Sequence, residues 1–127
     1  MILLDTNALI AALGYPEKFG KKTRRIIEGA GPTYFSSISL AELHIKASRR
    51  KFNIQSLMSK LVADSGLRVL PFDQVDALQI SNLSGLTRHD PFDRMILATA
   101  LANRAKLITS DRLLLSFGFS WVLDSFE

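Results

Sequence analysis

The chain has 127 residues, 47% of them hydrophobic, which is typical of one globular domain with a substantial core. It contains no cysteine, which excludes disulfides, thiolate metal sites and a cysteine nucleophile. A bound metal would therefore need oxygen ligands or one of the two histidines, and oxygen ligands favour Mg²⁺ or Mn²⁺ over Zn²⁺. The net charge of +4 is compatible with a polyanionic partner but does not indicate one by itself.

The first half of the chain predicts two buried strands and four helices. The strands are the short apolar runs Met1–Leu4 and Thr33–Ser36. The helices show apolar residues at helical spacing or recognisable end signals, and they are Thr6–Leu13, Glu17–Glu28, a helix capped by Ser39 that continues to about Lys51, and Ile54–Asp64.

The second half predicts three strands, Leu67–Leu70, Lys106–Thr109 and Trp121–Leu123. It also predicts three helices, Asp73–Leu83, Asp90–Asn103 and Arg112–Ser116, with a loop through His89 before the second of them. That helix has the clearest start, because Asp90 suits the N-cap, Pro91 the first helical position and Asp93 the third.

This alternation of strands and helices predicts a mostly parallel sheet covered by helices on both faces. No linker or repeat interrupts the pattern, so we expect residues 1–127 to form a single domain. The apolar N-terminus lacks a positively charged start and contains Asp5, so we do not expect a signal peptide. No apolar run is long enough to span a membrane, and we expect a cytoplasmic location.

Four acidic residues are predicted to lie at the carboxyl edge of this sheet, where ligands bind in such folds. Asp5 and Asp111 follow the ends of two predicted strands. Glu42 and Asp93 lie in the predicted first turns of two helices. Four carboxylates at one edge repel each other, and bound cations relieve that repulsion. Divalent metals held by carboxylates are the usual means of cleaving phosphodiesters, so the cluster predicts such an enzyme.

Each acid also has a simpler structural explanation. Glu42 can pair with Lys46 one helical turn away. Asp93 can belong to the capping arrangement of Asp90, and the two strand-end aspartates can each cap the helix that follows. The functional hypothesis therefore depends on the joint pattern of the four acids.

Three nearby side chains have open or ordinary roles. Arg94 can contact a phosphate or pair with Asp90. His44 is expected to face away from Glu42, and His89 is expected to be a solvated loop residue.

Four segments, MILLDTNALI, SSISLAELHI, HDPFDRMILATALA and LITSD, together resemble a PIN domain of the VapC toxin type. The resemblance covers essentially the whole chain in the right order. Its most specific piece is Asp90–Ala98, followed by LDTN at the N-terminus.

The resemblance implies a three-layer α/β/α sandwich that cleaves RNA endonucleolytically with Mg²⁺ or Mn²⁺. It implies the toxin component of a type II toxin–antitoxin system that inhibits translation, usually a homodimer held inactive by a VapB-type antitoxin. The family's four catalytic, metal-binding acids match Asp5, Glu42, Asp93 and Asp111. We expect the first and third to be the principal ligands and the others to complete the site. Supporting residues are Thr6, Asn7 and Thr109, which match motif positions, and Arg94.

Other function classes fit the sequence less well. A receiver domain needs an acidic neighbour beside Asp5 and a lysine at the end of a late strand, whereas Lys106 begins its strand. A phosphatase with an aspartate nucleophile needs a second acid where Asn7 stands. A binding module remains an alternative, in which the acids hold a structural metal or a partner and the basic helix faces bind RNA without cleavage.

Overall fold

The computed structural model describes residues 1–49, 53–63, 66–86 and 88–127. Five strands form one sheet in the order β3-β2-β1-β4-β5, and every pair is parallel. The strands are β1 (Ile2–Leu4), β2 (Thr33–Ser36), β3 (Leu67–Leu70), β4 (Lys106–Thr109) and β5 (Val122–Asp124). All five were predicted; β1 begins one residue later than predicted, and β5 is displaced by one residue.

Helices connect the strands, and their bounds are α1 (Thr6–Gly14), α2 (Lys21–Gly29), α3 (Ser37–Arg49), α4 (Ile54–Ala63), α5 (Gln74–Gln79), α6 (Pro91–Ala102) and α7 (Arg112–Ser116). Two 3₁₀ segments, Pro16–Lys18 and Ile80–Leu86, join them. The predicted helix ends at Lys51 and Asp64 lie outside the described residues. No helix in the described part of the chain is both long and apolar enough to cross a membrane.

Alternating side chains of the strands pack on opposite faces of the sheet. Leu3 and Leu107 lie in a cluster with Ile96 of α6, while Leu4 and Ile108 lie in a second cluster with side chains of α1 and α2. All five are essentially buried, and each stabilises the fold by roughly 1.5–3 kcal/mol. The predicted three-layer α/β/α arrangement is therefore confirmed, with a sheet that is parallel throughout.

The predicted helix Glu17–Glu28 is wrong at its start. The chain forms a 3₁₀ turn over Pro16–Lys18, becomes extended at Phe19, and enters α2 only at Lys21. Phe19 is buried against the sheet, and burying this ring requires the extended backbone that interrupts the helix.

The start of α3 also differs from the prediction, because Ser39 is not its N-cap. The helix begins at Ser37, directly after β2, and the hydroxyl of Ser36 accepts a hydrogen bond from the backbone N–H of Ile38. Ser39 is buried inside the helix. Glu42 consequently lies in the second turn of α3 and not in the first.

The predicted helix Asp73–Leu83 is divided in the structure. Asp73 caps α5 through its carboxylate, but α5 ends at Gln79 and continues as 3₁₀ helix. Leu83 has non-helical dihedrals and is buried, so packing of this side chain accompanies the kink.

Gly20 lies where the backbone of the last residues crosses the start of α2. Its N–H donates to the carbonyl of Ser125, and a Cβ at this position would lie 2.1 Å from the backbone carbonyl carbon of Glu127. We expect Gly20→Ala to lower the free energy of unfolding by about 1–3 kcal/mol, measured by urea denaturation, because backbone atoms must move. Gly14→Ala is the matched control, since nothing lies within 4 Å of its added Cβ. Equal stability of the two variants would contradict this packing.

Candidate active site

The site begins where two neighbouring strands end. Leu4 of β1 pairs with Ile108 of β4, and the N–H of Asp5 continues the ladder by donating to the carbonyl of Ile108 at 3.1 Å. The next residue of β4, Thr109, donates its hydroxyl proton to the Oδ2 of Asp5 and accepts from the N–H of Asp111 at 3.0 Å. One hydroxyl therefore links both strand-end acids.

Asp5 is buried and is held by neutral donors. Its Oδ1 accepts from the N–H of Ala8 at 2.8 Å, which caps α1 as the sequence predicted. Burial is the main cause that raises the pKa of Asp5 to about 7, and the hydrogen bonds from Thr109 and Ala8 oppose it. The negative charges of Asp93 and Asp111 make smaller contributions to the raised value, so the three carboxylates lie within electrostatic range of one another.

Glu42 reaches the same region from α3. The hydroxyl of Thr6, which follows Asp5, donates to Oε1 of Glu42 at 2.5 Å and lies 3.0 Å from the hydroxyl of Ser39. The ammonium of Lys46 lies 2.6 Å from Oε2, so the predicted ion pair is present. Glu42 is buried, and each of its carboxylate oxygens has a polar partner, one a hydroxyl group and the other an ammonium group.

Asp93 lies in the first turn of α6, where Asp90 supplies the cap by accepting from the N–H of Phe92 at 2.8 Å. The Oδ2 of Asp93 accepts instead from the ring of His89 at 3.1 Å. The pKa of Asp93 is raised to about 6, mainly by burial and then by the charges of Asp90, Glu42 and Asp111, while the charge of His89 lowers it. The structure thus brings the four predicted acids into one electrostatic cluster.

Asp111 uses its two oxygens differently. Its Oδ1 accepts from the N–H groups of Leu113 and Leu114 at 2.8 and 3.1 Å, which caps α7 as predicted. Its Oδ2 lies 3.7 Å from the Nε2 of His89. Capping therefore orients the carboxylate without removing it from the cluster.

The prediction that His89 is solvated is wrong. Its side chain is 7% exposed and its Nε2 lies between the carboxylates of Asp93 and Asp111. The available sequence signal was its spacing of four residues from Asp93. His44, by contrast, is exposed, and its Nδ1 donates to the carbonyl of Leu40 at 2.7 Å.

The other supporting residues have varied surroundings. Asn7 is exposed and lines, with Ser110, a cavity of about 240 Å³. The Nε of Arg94 is buried and makes no hydrogen bond with the described residues, and no ion pair joins Arg94 to Asp90 within that same part of the chain. Of the two roles that the sequence left open for Arg94, pairing with Asp90 is thus not seen there.

The donor set of the cluster fits a divalent cation. His89, Asp93 and Asp111 each offer one ligand atom, and these three atoms lie within 4.8 Å of one another. Carboxylate oxygen and imidazole nitrogen both bind Mn²⁺, and carboxylate oxygen binds Mg²⁺. Burial and, to a smaller extent, the neighbouring carboxylates raise the pKa values of Asp5 and Asp93, and a bound cation would offset the cost of ionising these groups.

The chain matches known proteins over nearly its whole length. The family model of the PIN domain matches residues 2–119. Similar solved structures include VapBC2 from Rickettsia felis bound to a DNA fragment of its promoter. The match has 23% sequence identity and a TM-score of 0.70, and it covers 98% of this chain and 97% of that chain.

Two further structures have the same fold. A toxin–antitoxin complex from Klebsiella pneumoniae shares 24% identity over 100% of this chain and 99% of that chain, with a TM-score of 0.69. DNA-bound VapBC from Salmonella typhimurium shares 25% identity over 97% and 95%, with a TM-score of 0.66. No curated protein sequence gives a significant match.

The raised pKa of Asp5 makes stability depend on pH. Between about pH 4 and 7 the unfolded chain ionises Asp5 while the folded protein keeps it protonated. The folded state then binds more protons, so the free energy of unfolding falls as the pH rises through this window, by roughly 4 kcal/mol in total. Urea denaturation without divalent metal should show this fall, and Asp5→Asn should reduce it. Asp93 contributes a smaller fall in the same direction. If the free energy of unfolding changed with pH in the same way in Asp5→Asn and in the parent protein, Asp5 would not be the cause of the fall.

The hydroxyl of Thr109 should control the ionisation of Asp5. Thr109→Val removes the donor to Oδ2 at nearly constant shape, so we expect the pKa of Asp5 to rise above about 7. The measurement is an NMR titration of the ¹³C-labelled carboxyl group. Thr109→Ser is the control and should retain the parent value. An unchanged pKa in the valine variant would show that this hydrogen bond has little influence.

Proposed function

Because the chain belongs to the PIN domain family, whose members are nucleases, we propose that it is an endoribonuclease that depends on Mg²⁺ or Mn²⁺. The observation that carries this proposal is the cluster of four acids at the carboxyl edge of the sheet. Bound there, a divalent ion supplies an activated water and stabilises charge on the phosphate and the leaving oxygen.

The residues of the chain provide the geometry of this proposed site. Asp5 and Asp93 are the principal metal ligands, and Glu42 and Asp111 complete the site directly or through water. Thr109 fixes the direction of the Asp5 carboxylate through its hydrogen bond. Asp5 and Asp111 cap α1 and α7, and Asp93 lies in the first turn of α6. These helix starts hold the three carboxylates at one edge of the sheet, so little reorganisation is needed when substrate binds.

The reaction proposed for this site is hydrolysis. Water attacks the scissile phosphorus in line and the bond from phosphorus to the 3′ oxygen breaks. The products carry a 5′ phosphate and a 3′ hydroxyl. The four acids of the cluster act on metal and water, so no covalent intermediate with the protein is required.

The similar structures support a proposal for the biological setting, since they are VapBC and another toxin–antitoxin complex. We propose a VapC-type toxin that inhibits translation by RNA cleavage in the cytoplasm, and that forms a homodimer bound by a VapB-type antitoxin. In this proposal residues 1–127 act as a single nuclease domain. The net charge of +4 includes the clustered acids, so the surface outside the cluster is more basic and suits an RNA backbone.

Cleavage of a labelled, structured RNA pool by the partner-free protein tests the proposal. We expect cuts with Mg²⁺ or Mn²⁺ and none with EDTA. Asp93→Asn should lose at least about a hundredfold in rate, because it removes one charge from the cluster. Asp90→Asn is the matched control, since asparagine also caps helices and Asp90 is an exposed neighbour of the cluster.

Circular dichroism should show that both variants are folded. Cleavage that persists in EDTA, or a fully active Asp93→Asn variant, would contradict the proposed mechanism. A folded protein that binds RNA and metal without cutting would favour a binding module.

A further inference from the structure

His89 lies beside two of the clustered acids, Asp93 and Asp111. Its Nε2 lies 3.1 Å from Oδ2 of Asp93 and 3.7 Å from Oδ2 of Asp111. Its backbone N–H donates to the carbonyl of Leu86 at 2.9 Å, and Leu86 is part of the buried core. The ring is therefore positioned by the fold and not by solvent.

We propose that His89 is a direct nitrogen ligand of the divalent ion bound by Asp93 and Asp111, and that this ligand makes the site favour Mn²⁺ over Mg²⁺. The inference rests on the proposed function in one respect, since it requires that these acids bind a divalent ion. It adds a residue outside the predicted quartet and a preference for one of the two ions.

The arrangement of the three ligand atoms suits a single ion. Adjacent ligands of an octahedral ion at about 2.1 Å lie about 3 Å apart. The separation of 3.1 Å between His89 and Asp93 matches this value, and the separation of 3.7 Å to Asp111 requires only a small contraction. The low exposure of the imidazole also limits competition from water for its nitrogen.

The Nε2 atom of His89 can take part in a hydrogen bond in the metal-free protein and bind the ion in the metal-bound protein. Without metal, Nε2–H donates to Asp93. A neutral imidazole with its hydrogen on Nδ1 presents the lone pair of Nε2 in the same direction. A cation between the three groups would therefore replace a hydrogen bond and would need only the small contraction toward Asp111.

The chemistry of the donors decides the preference between ions. Imidazole nitrogen is a ligand of the divalent transition ions, among which Mn²⁺ binds it most weakly, whereas Mg²⁺ prefers oxygen ligands and keeps several waters. A site built only from carboxylates would accept both ions. Replacing one oxygen by the nitrogen of His89 shifts the balance toward Mn²⁺.

Pulsed electron paramagnetic resonance of Mn²⁺ bound to the partner-free protein tests nitrogen ligation directly. With ¹⁵N-histidine labelling, we expect the hyperfine coupling of one directly bound histidine nitrogen. The chain has only two histidines, so His44→Gln is the matched control and should keep the coupling, while His89→Gln should lose it. Calorimetric titration of His89→Gln should show at least about a tenfold loss of Mn²⁺ affinity and a smaller change for Mg²⁺.

The outcomes separate this inference from the proposed function. Bound Mn²⁺ without nitrogen coupling in the parent protein would overturn the inference and leave metal-dependent cleavage intact. The inference would also be overturned if the nitrogen coupling persisted in His89→Gln, or if this variant lost affinity for Mn²⁺ and Mg²⁺ equally. Failure of the parent protein to bind either ion, together with cleavage in EDTA, would overturn both. The labelled parent protein decides on ligation even if a variant does not fold.

Discussion

The burial of several carboxyl groups close together is the constraint around which this site is arranged. Burial and neighbouring charges raise the pKa of Asp5 to about 7 and that of Asp93 to about 6, so the folded metal-free protein holds these groups at an energetic disadvantage. The apolar layers on both faces of the sheet must offset this disadvantage, since hydrogen bonds such as that from Thr109 do so only in part. A cation at the cluster would therefore stabilise the fold as well as take part in chemistry.

The structural and functional explanations of the acids turn out to be compatible. Asp5 and Asp111 each use one oxygen to cap a helix, while the other oxygen contacts Thr109 or faces His89. Because the cap fixes the carboxylate, the second oxygen has a defined position at the edge of the sheet. A capping role for such a residue is consequently not an argument against a catalytic one.

The sequence predicted the local features of the fold and missed those that depend on tertiary contacts. Strand alternation and the Asp90-Pro91 helix start are short-range signals. Together with the motifs they predicted the fold class and membership of the PIN family, and both predictions are confirmed. Ser39 resembles a cap in sequence, but β2 continues directly into α3. The burial of His89 depends on Asp111, which lies 22 residues away in sequence, and no periodicity reports such a contact. The roles of the four acids stay predictions.

The four acids of the cluster differ in how far their negative charges are compensated by neighbouring groups, and this difference indicates different roles in the proposed site. Glu42 is already compensated, because Lys46 lies 2.6 Å from one oxygen and Thr6 donates to the other. Within the described part of the chain, no lysine or arginine pairs with the three aspartates, whose contacts are hydroxyl and backbone donors and one histidine. A divalent ion would thus relieve the most repulsion among the aspartates. Glu42, whose charge is balanced by Lys46, suits an indirect contact with the proposed ion through water.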